Sequence, residues 1–165
     1  MGLLIDHIKK MREEANQVSV VSPVAGEAVQ LTETTEPLFS SEALGKGIAI
    51  RPTSELACAP VSGKVTACMP HAVGITTEQG VEVLVHIGVE TVTLNGEGFK
   101  TLVSEGQQVS AKDPLTEFSR EVIAAHNLED TVFVVVTSTD SHADVVAAPD
   151  GTVEVGQDVV TVKLK

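Results

Sequence analysis

Two histidines, His71 and His86, stand in PHAVGITTEQGVEVLVHIGVETVTLNGEGF, an apolar and β-branched run over residues 70–99. With Glu78 and Gln79 at the tip of an even-membered hairpin loop, paired residue numbers sum to about 157, which sets His71 directly opposite His86. On that register both imidazoles share a face, with Cβ atoms about 4.5–5.5 Å apart, whereas a one-residue bulge would put them on opposite faces. Alternation gives Val81, Val83, Val85, Ile87 and Val89 to the core. His86 then lies on the other face with Leu84, Glu82 and Gly88. Across the hairpin Met69 opposes Gly88 and Val73 opposes Leu84, and Gly88 leaves room for a ligand.

Two imidazoles in an apolar, partly open patch support a limited set of chemistries. They can bind a metal, but two ligands do not complete a structural zinc site. The sequence has no HExxH, no HxH, no GxSxG elbow, no P-loop and no GxGxxG. Covalent chemistry on imidazole itself remains. A neutral histidine is a competent nucleophile towards phosphorus, and a second histidine beside it can donate a hydrogen bond to the arriving phosphoryl oxygens.

The elements that must hold this pair are short Val-rich strands punctuated by Pro and Gly. The pattern predicts strands at 18–22, 27–31, 47–51, 64–69, 71–76, 81–87, 90–94, 115–118, 131–137, 152–154 and 159–164, and so an all-β fold, an antiparallel β-sandwich or barrel-like form. SPVAGEAV (22–29), APVSGKV (59–65) and APDGTV (148–153) echo one another, as do EGQQV (105–109) and VGQDV (155–159). These echoes point to a duplicated β motif. SREVIAAHNLED (119–130) is a short helical piece with Val122, Ile123 and Leu128 inward. Residues 1–17 form a separate amphipathic leader helix, with Leu4, Ile8, Met11 and Ala15 on one face and Lys9, Lys10 and Arg12 off it. The β domain then spans 18–165.

A length of 165 residues suits one such domain with a real core, which must be built from Val, Ile, Leu and Ala because the chain has no Trp, no Tyr and four Phe. The net charge of −12 excludes a nucleic-acid backbone as partner and favours a basic protein. Cys58 and Cys68, without a CxxC or a secretory leader, read as free thiols in a reducing cytosol. No apolar run is long enough to span a bilayer, while the basic flank of residues 2–15 suits peripheral contact with an anionic membrane surface.

The run VHIG-x-x-T-V-x-L-N-G-x-G-F, together with GIAIRP (47–52), APVSGKV, HAVGI, EGQQV and DPLTEF (113–118), resembles the glucose-type enzyme IIA domain of the bacterial phosphoenolpyruvate-dependent sugar phosphotransferase system. The resemblance covers nearly the whole chain, and the MGLL leader is similar to that of free-standing members. It implies a phosphotransferase component in the cytoplasm, or at the inner face of the membrane. His86 corresponds to the histidine phosphorylated on Nε2, and His71 to the unmodified partner that assists transfer. The resemblance further implies a histidine phosphocarrier protein as donor and the cysteine of a IIB domain of a sugar permease as acceptor. The partner-binding surface around the site takes in Phe39, Leu44, Leu84, Glu90 and Val92. No cofactor is required, and zinc fits His71 and His86 only with a ligand supplied by a partner. Met69 stands where many members have Thr, and Glu90 where Asp is usual.

Three other readings of the residues stay open. A biotinyl- or lipoyl-like carrier needs a lysine in an MKM- or DK-type hairpin, a setting that Lys64 and Lys112 lack. A zinc hydrolase lacks its third ligand, and a silent regulator would keep the fold without the chemistry.

Overall fold

The computed structural model describes residues 2–165. Met1, the first residue of the expected 1–17 leader, lies outside the described residues. Helix α1 (Gly2–Ala15) buries none of its residues. It is followed by β1 (Gln17–Val21), β2 (Gly26–Gln30), a four-residue helix α2 (Pro37–Ser40), β3 (Lys46–Pro52), β4 (Leu56–Cys58) and β5 (Gly63–Met69). Next come β6 (Ala72–Thr76), β7 (Glu82–Ile87), β8 (Phe99–Thr101), β9 (Gln108–Val109), β10 (Pro114–Phe118) and α3 (Arg120–Ala125). The chain closes with β11 (Val132–Val136), β12 (Asp144–Ala147), β13 (Gly151–Val153) and β14 (Asp158–Lys163).

The strands are antiparallel and form an eight-stranded sheet, β13-β2-β3-β11-β7-β6-β5-β9, and two three-stranded sheets, β1-β14-β12 and β4-β10-β8. Ile48, Ile50, Val83, Val85, Ile87, Val132 and Val134 point from the large sheet into the main core, where they meet Val160 and Val162 of β14 and Leu115 and Phe118 of β10. The opposite face of the same sheet carries a second, smaller cluster of Val29, Leu31, Phe39, Ala49, Phe133 and Val135. All five residues of β11 are therefore buried. Such a strand reads as a continuous apolar run because both of its faces are covered.

The duplicated β motif is visible in the turns. Gly26, Gly63 and Gly151, the turn glycines that follow a proline in the three echoes, each open a strand. In one G-Q-x-V turn Gln107 N–H donates to the Ser104 carbonyl and Ser104 N–H donates to Gln107 Oε1, both at 3.1 Å. In the other, Gln157 and Glu154 repeat both bonds at 3.1 Å.

The structure corrects several expectations. The β6–β7 loop has three residues, not two: Thr77 N–H donates to Val81 O at 2.9 Å, and Gly80 adopts a φ of +85°. A left-handed third residue is the usual way a hairpin takes a longer loop, so Ala72, not His71, pairs with His86. By the same slip Val73 pairs with Val85 and Gly74 with Leu84, while Met69 pairs with Ala72 across the β5–β6 turn. The expected strand at 90–94 is a 3₁₀ turn, Thr91–Leu94, bounded by Glu90 (φ 58°) and Asn95 (φ 52°). Its Thr and Val favour strands, but the Thr91 hydroxyl bonds back to the Ile87 carbonyl and turns the chain. Strands β4, β8, β9 and β12 were not expected from the pattern: β4, β8 and β9 have three residues or fewer, and β12 has four. In the expected helical piece only Arg120–Ala125 is helical, with Ile123 fully buried. Both cysteines are free, and burial raises each thiol pKa, assisted by Asp113 at Cys58 and Glu105 at Cys68.

Gly88 shapes the exit from β7. It has a φ of +82°, its N–H donates to Thr131 O at 2.8 Å, and a Cβ there would collide with Thr91 Cγ2 and stand 3.0 Å from Glu129 O. Gly88 is thus a packed bend, not room left for a ligand. The bend also ends the alternation, so Val89 packs on the second cluster instead of the main core. A Gly88→Ala change should destabilise the fold by about 2–4 kcal/mol, combining left-handed strain with overpacking. Gly80→Ala, with the same sign of φ and open space around it, should cost only about 1–2 kcal/mol. Urea denaturation of both variants checks this; equal losses would show that the contact with Thr91 is relieved without cost.

Candidate functional site

His86 lies in β7 on the face away from the main core. It pairs with Phe133 of β11 on one side and Ala72 of β6 on the other. The row continues from Phe133 to Ala49 and Val29, so an apolar strip crosses four strands and ends at the imidazole.

Helix α2 covers this strip. Its start is set locally: the Glu36 carboxylate accepts from Leu38 N–H at 3.2 Å, and Pro37 occupies the first turn, where its missing N–H costs nothing. The short helix drops Phe39 onto Phe133, ring centroids 4.0 Å apart and 9° from parallel. Phe39 also stands 5.1 Å from the His86 ring, and Phe133 stands 6.2 Å from it.

The two imidazoles meet, although the expected register fails. His71 is the second residue of the Pro70–His71 turn between β5 and β6, and so escapes strand alternation. Its carbonyl accepts from Ile87 N–H at 2.8 Å, which ties the turn to the end of β7. The rings lie 5.0 Å apart at 81°, edge to face. His71 is only 7% exposed, and burial lowers its pKa.

The His86 pKa falls to about 4. Burial is the main cause and repulsion by His71 adds to it, while the Gly88 main chain and the Glu36 carboxylate pull the other way. At neutral pH the ring is therefore uncharged and keeps a lone pair. Nδ1 is buried without a hydrogen bond of good geometry, although the Gly88 main chain lies near enough to favour the protonated ring. The ring as a whole is half-buried, and Nδ1 is its enclosed nitrogen. Such a site offers a neutral nucleophile with a second imidazole at its shoulder.

Of the remaining expected site residues, Leu84 lies two positions before His86 on the same face and is half-buried. Leu44 packs against the second cluster. Glu90 and Val92 sit on the turn that leaves β7, both exposed, Val92 to 58%. Phe39 is corrected: at 2% exposed it is a cover over His86 and Phe133, not an open contact surface. Met69, 44% exposed beside the His71 turn, offers the imidazole no donor.

Phe133, Glu36 and Leu38 were missed from sequence. VFVVV gives no face because every residue in it is buried. Glu36-Pro37 was a usable signal, an N-cap followed by proline in the first turn. It would have placed exposed Leu38 and buried Phe39 on one short helix. Among the described residues no three of His, Cys, Asp and Glu are grouped as metal ligands. Lys64 is the second residue of β5, and the Lys112 stem lies against Gly156.

Comparisons with known proteins bear on the family and the fold. The family model described as phosphoenolpyruvate-dependent sugar phosphotransferase system, EIIA 1, matches residues 18–142. A glucose-specific EIIA component of the PTS system from Staphylococcus aureus is 36% identical over 138 residues, covering 82% of this chain and 83% of the relative. The glucose-specific EIIBCA component of Corynebacterium glutamicum is 44% identical over 140 residues, covering 83% of this chain and 21% of that longer protein. The solved glucose permease IIA from Mycoplasma capricolum superimposes with a TM-score of 0.80 at 34% identity, covering 88% of this chain and 95% of that one. The chain belongs to the EIIA 1 family of the phosphoenolpyruvate-dependent sugar phosphotransferase system, as a phosphocarrier of the glucose type.

Proposed function

We propose that His86 accepts a phosphoryl group on Nε2 from a histidine phosphocarrier protein and yields it to the cysteine of a sugar-specific IIB domain. The Nε2 lone pair forms the new N–P bond as the donor's N–P bond breaks. Attack by the acceptor thiolate then breaks the Nε2–P bond and restores the neutral ring. The observation that carries this reading is the facing pair itself: an uncharged His86 with Nδ1 buried, and His71 5.0 Å away at a steep angle. His71 donates a hydrogen bond to the phosphoryl oxygens during transfer. The relative from Corynebacterium glutamicum, an EIIBCA component, supports a IIB acceptor. The net charge of −12 suits a basic donor, steered to a surface of Leu38, Leu84, Glu90 and Val92. No cofactor takes part; zinc would bind His71 and His86 only with further ligands from a partner.

Helix α1 is a second contact in this reading. Leu3, Leu4, Ile5, Ile8 and Met11 are all exposed, and among the described residues no helix is long and apolar enough to cross a membrane. An amphipathic helix of this kind lies in the interface of an anionic bilayer and raises local concentration near a membrane-bound acceptor. Deleting residues 2–15 should leave labelling by the soluble donor intact and slow transfer to acceptor in anionic vesicles. Unchanged vesicle transfer would remove the membrane role.

The unequal roles of the histidines set the main test. His86→Gln should abolish acid-labile labelling from radiolabelled phosphoenolpyruvate and the upstream proteins. His71→Gln should still accept phosphate but deliver it about 10²–10³ more slowly, the cost of one transition-state donor. Single-turnover transfer in both directions measures this, and the opposite pattern would reverse the assignment. The neutral nucleophile has its own signature. In an NMR titration the His86 ring should titrate near pH 4, where its folded pKa is about 4 against an ordinary 6.5. The unfolded chain binds this proton first, so His86 should remove stability as pH falls from about 6.5 to about 4. That slope should vanish in His86→Gln, whereas a midpoint near 6.5 would mean a solvated ring.

A further inference from the structure

The chain has three arginines, and two of them, Arg51 and Arg120, line one surface notch of about 430 Å³. In a chain of net charge −12 this is a local concentration of guanidinium groups. Arg120 uses Nε to bind Asp130 Oδ2 at 2.8 Å, and its two terminal nitrogens make no hydrogen bond among the described residues. Arg51 forms no side-chain ion pair among the described residues. Also in the lining, Thr35 donates to Glu129 Oε1 at 2.9 Å, and Oε2 of Glu129 accepts no hydrogen bond among the described residues. Pro52, Ala124 and Leu128 supply apolar lining, and Thr131 completes it.

We infer that this notch binds a small phosphate ester carrying hydroxyl groups, a ligand of the sugar-phosphate class. Guanidinium forks match phosphate oxygens bidentately. The free oxygen of Glu129 accepts a ligand hydroxyl, and Pro52 and Leu128 pack its C–H surface. The volume suits such a molecule, since small-ligand pockets run from about 300 to 1,000 Å³. The two carboxylates offset the two arginines, so a bare anion gains little, and a neutral sugar leaves the guanidiniums unused. A ligand needs both parts. The site is separate from the imidazole pair but adjoins it: Gly88 N–H donates to Thr131 O at 2.8 Å and Val89 N–H to Glu129 O at 3.0 Å.

The test is an amide NMR titration of the full chain with three probes: glucose 6-phosphate, inorganic phosphate and glucose. Glucose 6-phosphate should shift Arg51 and Glu129–Thr131, and through their hydrogen bonds Gly88 and Val89, with millimolar or tighter affinity. Inorganic phosphate and glucose should bind about tenfold more weakly or less. Arg51→Gln and Glu129→Gln should each weaken the ester about tenfold, with labelling of His86 by the soluble donor unchanged. No shift at ester concentrations up to about 20 mM, beyond ordinary millimolar affinity, would overturn the inference. So would shifts undiminished by Arg51→Gln. Equal binding of inorganic phosphate would refute the hydroxyl-reading part, and equal binding of glucose the role of the arginines.

Discussion

The stack of Phe39 on Phe133 is the contact on which the site depends. An imidazole on an open sheet face would be hydrated and would titrate like any other. Here a four-residue helix is pinned by the Glu36 cap and lays one ring on another, and His86 is left at the edge of a dry patch. That dryness, more than any neighbouring charge, holds the ring neutral. Burying β11 on both sides and keeping the imidazole neutral are one event: the second cluster is at once a piece of core and the wall of the candidate site.

Much of this was legible in the sequence, and the failures have physical causes. The inward stripe of β7 was plain because Val81, Val83, Val85 and Ile87 alternate without interruption, and all four are buried. The pairing of the histidines was reached through a wrong register. A two-residue turn and a three-residue turn differ by one left-handed glycine, and composition alone does not choose between them at Glu78-Gln79-Gly80. The rings meet because the expected strand at 71–76 starts one residue later, which frees His71 from the alternation that would have turned it away. At 90–94 intrinsic strand preference lost to the bend at Gly88. Phe133 stayed hidden for the opposite reason: a run of uniformly apolar residues has no period to read.

The repeated G-Q-x-V turns show how a sequence echo becomes a structural one. In each, a glutamine side chain returns to the main chain three residues earlier. The adjoining glycine N–H bonds outward, from Gly106 to Val65 and from Gly156 to Ser22. Two copies of one local device hold β9 and β14 at separate places in the fold, far from the histidines in function but part of the frame that keeps them in register.

The placement of His71 on a turn gives the pair unequal mechanical support. His86 sits in a strand hydrogen-bonded on both sides, one of the stiffest mountings a protein offers. His71 is carried by two residues outside any ladder, anchored through one carbonyl. Local opening is easier at turns than in central strands. The two rings therefore differ in how firmly the main chain mounts them, as an anvil and a finger do. In the proposed transfer, a tetrahedral group entering from one protein and leaving towards another would change its angle to the firmly mounted ring, and the less firmly mounted ring is the one placed to follow it.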